Sequence, residues 1–199
     1  MTDPKQQNHQ QRQQRLKEHV DARVANATTE KGLILVFTGN GKGKTTAGFG
    51  TVCRAVGHGL KTAVVQFIKG SWDNGEQALL QPHGVPFAVM GTGFTWDTQD
   101  RAGDIAAAEL VWQQAKQFLQ DPTLDLVLLD ELTYMLSFHY LPLADIEQAL
   151  LNRPSHQHVI ITGRACHRRL LELADTVSEI QPVKHAFDAG VKAQRGLDW

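Results

Sequence analysis

The chain has 199 residues, 42% of them hydrophobic, and its 20 basic side chains against 21 acidic ones give a net charge of −1. Such figures fit one soluble domain of ordinary composition. They exclude a whole-domain basic footprint for nucleic acid or for an anionic membrane. Two cysteines, Cys53 and Cys166, make neither a disulfide framework nor a paired metal-ligand spacing. No apolar run approaches the ~20 residues of a membrane span. The Gln-rich start has no apolar signal region. The expectation is a soluble, reduced, cytoplasmic protein.

Residues 1–30 differ from the rest. Gln6, Gln7, Gln10, Gln11, Gln13 and Gln14 crowd a stretch with almost no apolar side chains, too few to offset its ordering entropy. Leu16, Val20 and Val24 then recur at four-residue spacing, enough for one weak helical stripe. Two readings stand: a disordered leader, or a helix that docks only when a ligand or partner supplies a surface, the active site being one candidate place. From residue 31 to 199 the pattern is that of one domain. Continuous apolar runs at 33–37, 62–68, 124–129 and 159–161 read as strands buried on both faces of a parallel sheet. Stretches at 45–56, 104–119 and 167–174 read as helices, and 85–90 and 176–180 as edge or flanking strands. Strands alternating with helices predict an α/β sandwich, mostly parallel, with helices on both faces. Segments 70–75 and 91–102 read as loops at strand carboxyl ends, where open sheets bind ligands.

The strongest local signal is Thr38-Gly39-Asn40-Gly41-Lys42-Gly43-Lys44-Thr45-Thr46, set between a strand and a helix. That context defines a phosphate-binding loop. Its glycines let the backbone turn and aim N–H groups inward, and the helix start adds a positive dipole end. Lys44 would place charge on the phosphates and Thr45 a hydroxyl on Mg²⁺. A strict match would need Gly at position 38, where this chain has Thr, so a different loop geometry is expected. Asp130 and Glu131 end a buried run, and carboxylates there are costly to desolvate unless paired or bound to a cation. In phosphate-loop proteins that cation is Mg²⁺; the residues do not say which acid touches it. These parts serve hydrolysis, phosphoryl transfer or nucleotide-driven switching alike.

Further blocks narrow the choice. Val65-Gln66-Phe67-Ile68-Lys69-Gly70, Gly91-Thr92-Gly93-Phe94-Thr95-Trp96, Asp130-Glu131-Leu132-Thr133-Tyr134 and Ile161-Thr162-Gly163-Arg164 follow the loop in order. A final block runs from Lys184 to Gln194. Together with the loop they resemble the ATP:corrinoid adenosyltransferases of cobalamin synthesis and salvage, over about 33–199. Thr38 is itself part of that family's pattern.

The resemblance implies a RecA-like phosphate-loop fold, usually as a homodimer. It implies transfer of the 5′-deoxyadenosyl group of ATP to a Co(I) corrinoid, with triphosphate leaving and ATP reversed in the loop. Gly39, Asn40, Gly41, Lys42, Gly43, Lys44, Thr45 and Thr46 would bind the triphosphate. Thr45 with Glu131 or Asp130 would hold Mg²⁺, or Mn²⁺ in its place. Arg164 would reach phosphate oxygens; Arg54, inside the first helix of the domain, is a weaker candidate and reads equally as a surface charge. Phe94 and Trp96 resemble aromatics that crowd the lower face of the corrin and displace its axial ligand, which eases reduction of Co(II). Cys166 and His167 are not expected to ligate cobalt, whose axial face the family keeps empty. Cobalamin, cobinamide and cobyrinic acid derivatives are all admissible substrates, and a flavoprotein electron donor is implied.

Overall fold

The computed structural model describes residues 4–68, 74–91 and 100–198. It divides into two units, Met1–Lys31 and Gly32–Trp199. The first contains helix α1 (Pro4–Asn26). Its Gln, Arg, Lys and Glu content suits a solvated helix, Arg23 in the last turn complements the dipole, and Gln14 donates to Glu18 one turn on at 2.8 Å. Leu16, Val20 and Val24 are 57%, 46% and 68% exposed, so their stripe adds no buried core to the unit.

The second unit is built on a six-stranded parallel sheet. Its strands are β1 (Ile34–Thr38), β2 (Thr62–Gln66), β3 (Phe87–Val89), β4 (Leu126–Asp130), β5 (His158–Thr162) and β6 (Thr176–Glu179), in the spatial order β3-β2-β4-β5-β1-β6. Continuous apolar runs form strands here because both faces are covered. In β4, Val127 and Leu129 join one apolar cluster while Leu126 and Leu128 join the other. The smaller cluster is closed by Phe49, Val52 and Ala55 of helix α2 (Lys44–Gly57) and by Leu80 of α3 (Gly75–Leu80). The larger one is closed by α4 (Arg101–Gln120), α5 (Leu132–Ser137), α6 (Leu143–Leu151) and α7 (Arg168–Leu173). Trp112 of α4 is its largest fully buried side chain.

The expected strands and helices are present, with ends shifted by a few residues. The short edge strand β6 alone is largely exposed along its length. Three helices exceed the expectation: α3, which begins at Gly75 in an expected loop, and α5 and α6. The first two have six residues each, too few for a helical period to show in sequence. Helix α6 follows Pro142 and buries Ile146 and Leu150. Among the described residues no helix is long and apolar enough to cross a membrane.

Candidate active site

Because all six strands run the same way, the segments that follow β1, β4, β5 and β6 gather at one edge of the sheet. They enclose a cleft of ≈ 680 Å³ lined by Asn40 to Thr46, Asp130, Glu131, Arg164, His185 and Gly196 to Asp198, with Ile68, Glu76 and Leu79 on a further wall.

The loop after β1 explains why Thr38 can replace a glycine. Thr38 is still a strand residue, in register with Glu179 of β6, and its carbonyl accepts from Ile180 N at 2.8 Å. The left-handed turns fall instead at Gly39 (φ 96°) and Gly43 (φ 118°), the latter capping α2, where a Cβ would be strained. Gly41 donates its N–H to Ile180 O at 2.7 Å, and a Cβ there would lie 2.8 Å from the carbonyl of Gln181. The loop is thus pressed against the chain leaving β6.

Lys44, the first residue of α2, is 6% exposed, and its Nζ donates to Gly41 O at 2.8 Å. Burial lowers its pKa; Glu131 and Asp130 work against that shift, and Arg164 adds to it. Thr45 and Thr46 line the cleft beside it. Arg164 follows Gly163 (φ 138°) past the end of β5, exposed and facing the same cleft. Arg54 is not brought there. It stands exposed in the last turn of α2, about 15 Å along the axis from Lys44 at 1.5 Å per residue. Phe94 and Trp96 lie outside the described residues.

The two acids differ sharply. Asp130, 2% exposed, accepts from Thr162 Oγ1 at 2.7 Å with one oxygen and from Gln66 Nε2 at 3.2 Å with the other. Gln66 in turn accepts from Asn74, which also caps α3. Glu131 has the left-handed backbone (φ 60°) that turns the chain from β4 into α5, and its N–H donates to Thr162 Oγ1 at 2.9 Å. Its Oε2 is buried without a hydrogen-bond partner. Burial, then the neighbouring Asp130, raises its pKa to about 7, against the pull of Lys44 and Arg164. An acid desolvated to that degree beside a cleft lined by Lys44 and Arg164 is a candidate functional group.

Sequence reasoning did not find the wall built by His185 and by Gly196 to Asp198. Lys42 Nζ meets Asp198 Oδ1 there at 2.6 Å. The block ending at Gln194 pointed to this region without saying what it touches.

A family model described as ATP:corrinoid adenosyltransferase BtuR/CobO/CobP matches residues 30–199. The chain belongs to that family. A second model, described as cob(I)alamin adenosyltransferase N terminal, matches residues 1–24. The chain is 70% identical to the corrinoid adenosyltransferase of Escherichia coli K12 over 191 residues, 96% of this chain and 97% of the relative. It is 66% identical to the corrinoid adenosyltransferase CobA of Salmonella typhimurium, with the same shares covered. Identity to the corrinoid adenosyltransferase of Pseudomonas aeruginosa is 50% over 197 residues, 98% of this chain and 97% of that one. The chain is a transferase of this family, and the expected α/β architecture with its parallel sheet is the one found.

Proposed function

We propose that the chain takes up ATP with a divalent cation in this cleft and transfers the 5′-deoxyadenosyl group to the Co(I) of a reduced corrinoid. Co(I) attacks C5′ of the ribose, the C5′–O5′ bond breaks, and its electron pair leaves on the intact triphosphate. Cobalt ends formally as Co(III), joined to carbon. The observation that carries this reading is the convergence of Lys44, Arg164 and the loop residues 40–46 on one cleft. Charge-assisted donors of this kind favour the ionised triphosphate as negative charge develops on it. Co(I) is already a strong nucleophile, so the reaction needs no general base.

The oxygen donors present fit Mg²⁺, with Mn²⁺ as a substitute. Thr45 and the unpartnered Oε2 of Glu131 would hold the cation. Asp130, with both oxygens engaged by Thr162 and Gln66, would support the site from behind. When bound, the cation supplies charge neutralisation on the leaving triphosphate. Phe94 and Trp96 are read as crowding the lower face of the corrin, a role that rests on the family resemblance. Residues 1–30 are read as a cover for the bound substrate, a role that rests on their polarity and the Leu16, Val20, Val24 stripe. The family resemblance also supports cobalamin, cobinamide or cobyrinic acid derivatives as substrates, a flavoprotein electron donor and a homodimer, and the composition and cysteine usage support a cytoplasmic setting.

The test is anaerobic incubation with MgATP and a chemically reduced corrinoid. A light-sensitive cobalt–carbon absorbance together with tripolyphosphate is expected. ADP and phosphate without the cobalt–carbon signal would overturn the reading. An ATP analogue with a non-hydrolysable β–γ bridge should still donate its adenosyl group.

A further inference from the structure

The loop's second lysine already has an anion. Lys42 lies at the centre of the phosphate loop, and its Nζ pairs with Asp198 Oδ1 at 2.6 Å. The other carboxylate oxygen, Oδ2, accepts from Gln194 N at 2.7 Å, while Asp198 N donates back to Gln194 O at 2.8 Å. These bonds close a turn over Gly196, whose left-handed backbone (φ 81°) lets the chain reverse. Gly196, Leu197 and Asp198 line the same cleft as Lys42 and Lys44. The carboxylate is therefore held by its own turn, not by chance rotation of a free side chain. The Lys42 bond in turn holds the Asp198 carboxyl below the usual range, so Asp198 stays a carboxylate at neutral pH.

A carboxylate and a phosphate make the same kind of bond to an ammonium group. A phosphate that engages Lys42 must break or share the bond to Asp198, and an unpaired Asp198 beside bound phosphates is a like-charge contact. We propose that segment 194–198 is an exchangeable anion latch: Asp198 occupies Lys42 in the ligand-free protein and is expelled from the cleft when the triphosphate arrives. An anion that meets one loop contact does not displace a paired carboxylate efficiently. A triphosphate that meets Lys44 and the loop amides as well does so. The latch thereby favours the long polyanion over phosphate and sulfate, and it links occupancy of the cleft to the position of the wall beside it.

This inference rests on the reading of the cleft as a triphosphate site. The test measures binding of inorganic tripolyphosphate by calorimetry to the wild type and to Asp198→Asn, with hydrogen exchange followed in residues 190–198 of the wild type. Removing a partly exposed competing charge should tighten tripolyphosphate binding about two- to fivefold. Amides of the 194–198 turn should exchange faster once tripolyphosphate is bound. Unchanged or weaker binding by Asp198→Asn, or slower exchange of the turn on binding, would overturn the latch alone, since the segment would then be inert or would close on the ligand. A wild-type protein that takes up no tripolyphosphate would defeat the triphosphate reading of the cleft, and the latch with it.

Discussion

The two edges of the parallel sheet handle their polar groups in opposite ways. At the amino edge, side chains close backbone ends. Arg153 donates to the carbonyls of Gly32, Leu150 and Gln157, and the amide of Gln157 donates to those of Phe118, Asp121 and Leu124. Asp175 accepts from Ile34 N and Asp125 from Lys61 N. At the carboxyl edge, Lys44, Glu131 and Arg164 face a cleft, and the backbone takes left-handed turns at Gly39, Gly43, Glu131, Gly163 and Ala165. Unpartnered atoms do not separate the edges: Thr62 and Gln157 carry one each at the first, Glu131 and Thr133 one each at the second. What separates them is that Glu131 is ionisable and desolvated. A buried hydroxyl or amide oxygen without a partner is a modest structural cost, whereas a buried acid kept from water is ready for a cation.

Substitutions at the two edges should accordingly fail in different assays. The largest effect is expected for Lys44→Ala, which removes a charge-assisted contact of about 1.5–3 kcal/mol to phosphate. It should lower kcat/KM for ATP about ten- to hundredfold while leaving the thermal transition near that of the wild type. An unchanged kcat/KM would sink its phosphate role.

Next comes Glu131→Gln, which sharpens the comparison through pH. The folded, ligand-free protein holds the Glu131 proton up to about pH 7, whereas the unfolded chain releases it near the ordinary 4.5. Relative to this group the fold is most stable below pH 4.5 and loses that advantage as pH rises through 7. Glutamine does not titrate. The variant should therefore gain about 1–3 kcal/mol over the wild type at pH 8, with the gain fading by pH 5, and it should lose activity with the divalent cation. Melting curves with equal shifts at both pH values would show that the acid is not desolvated.

At the other edge, Arg153→Ala strips the donor from three carbonyls. It should cost about 1–3 kcal/mol of stability with kcat and KM for ATP unchanged, read by denaturant melts and steady-state assays. A selective loss of activity would break the division between the edges. The smallest effect is expected from deleting residues 1–31. Their helix exposes its apolar stripe, so the melting temperature of the remaining domain should move by about 1 °C or less, while use of the corrinoid weakens. A large fall in stability would show that the segment is part of the core.

Legibility in the sequence followed the physics of each feature. The central strands β1, β2, β4 and β5 were readable because burial on two faces demands unbroken apolar runs such as Leu126 to Leu129. The loop was readable because its glycines, Lys44 and Thr45 are contiguous. The division of labour between Asp130 and Glu131 was not, because it depends on Gln66 and Thr162, brought alongside only by sheet register. The pairing of Lys42 with Asp198 lay equally out of reach: nothing local to either residue announces the other. Arg54 is open to two readings in sequence, and its exposed place in the last turn of α2 agrees with the surface charge.

The place of β1 in the sheet has a consequence for how the molecule is made. Ile34 is in register with Val159 on one side, and Leu35 with Thr176 on the other. During synthesis, the first strand of the domain leaves the ribosome long before either neighbour exists. Its apolar residues must wait for nearly all of the domain to be translated, a delay that exposes long-range parallel pairing to misassembly. Because Gly41 bonds to Ile180, the glycine-rich loop after β1, although encoded early, acquires its backing only once the chain beyond β6 has emerged.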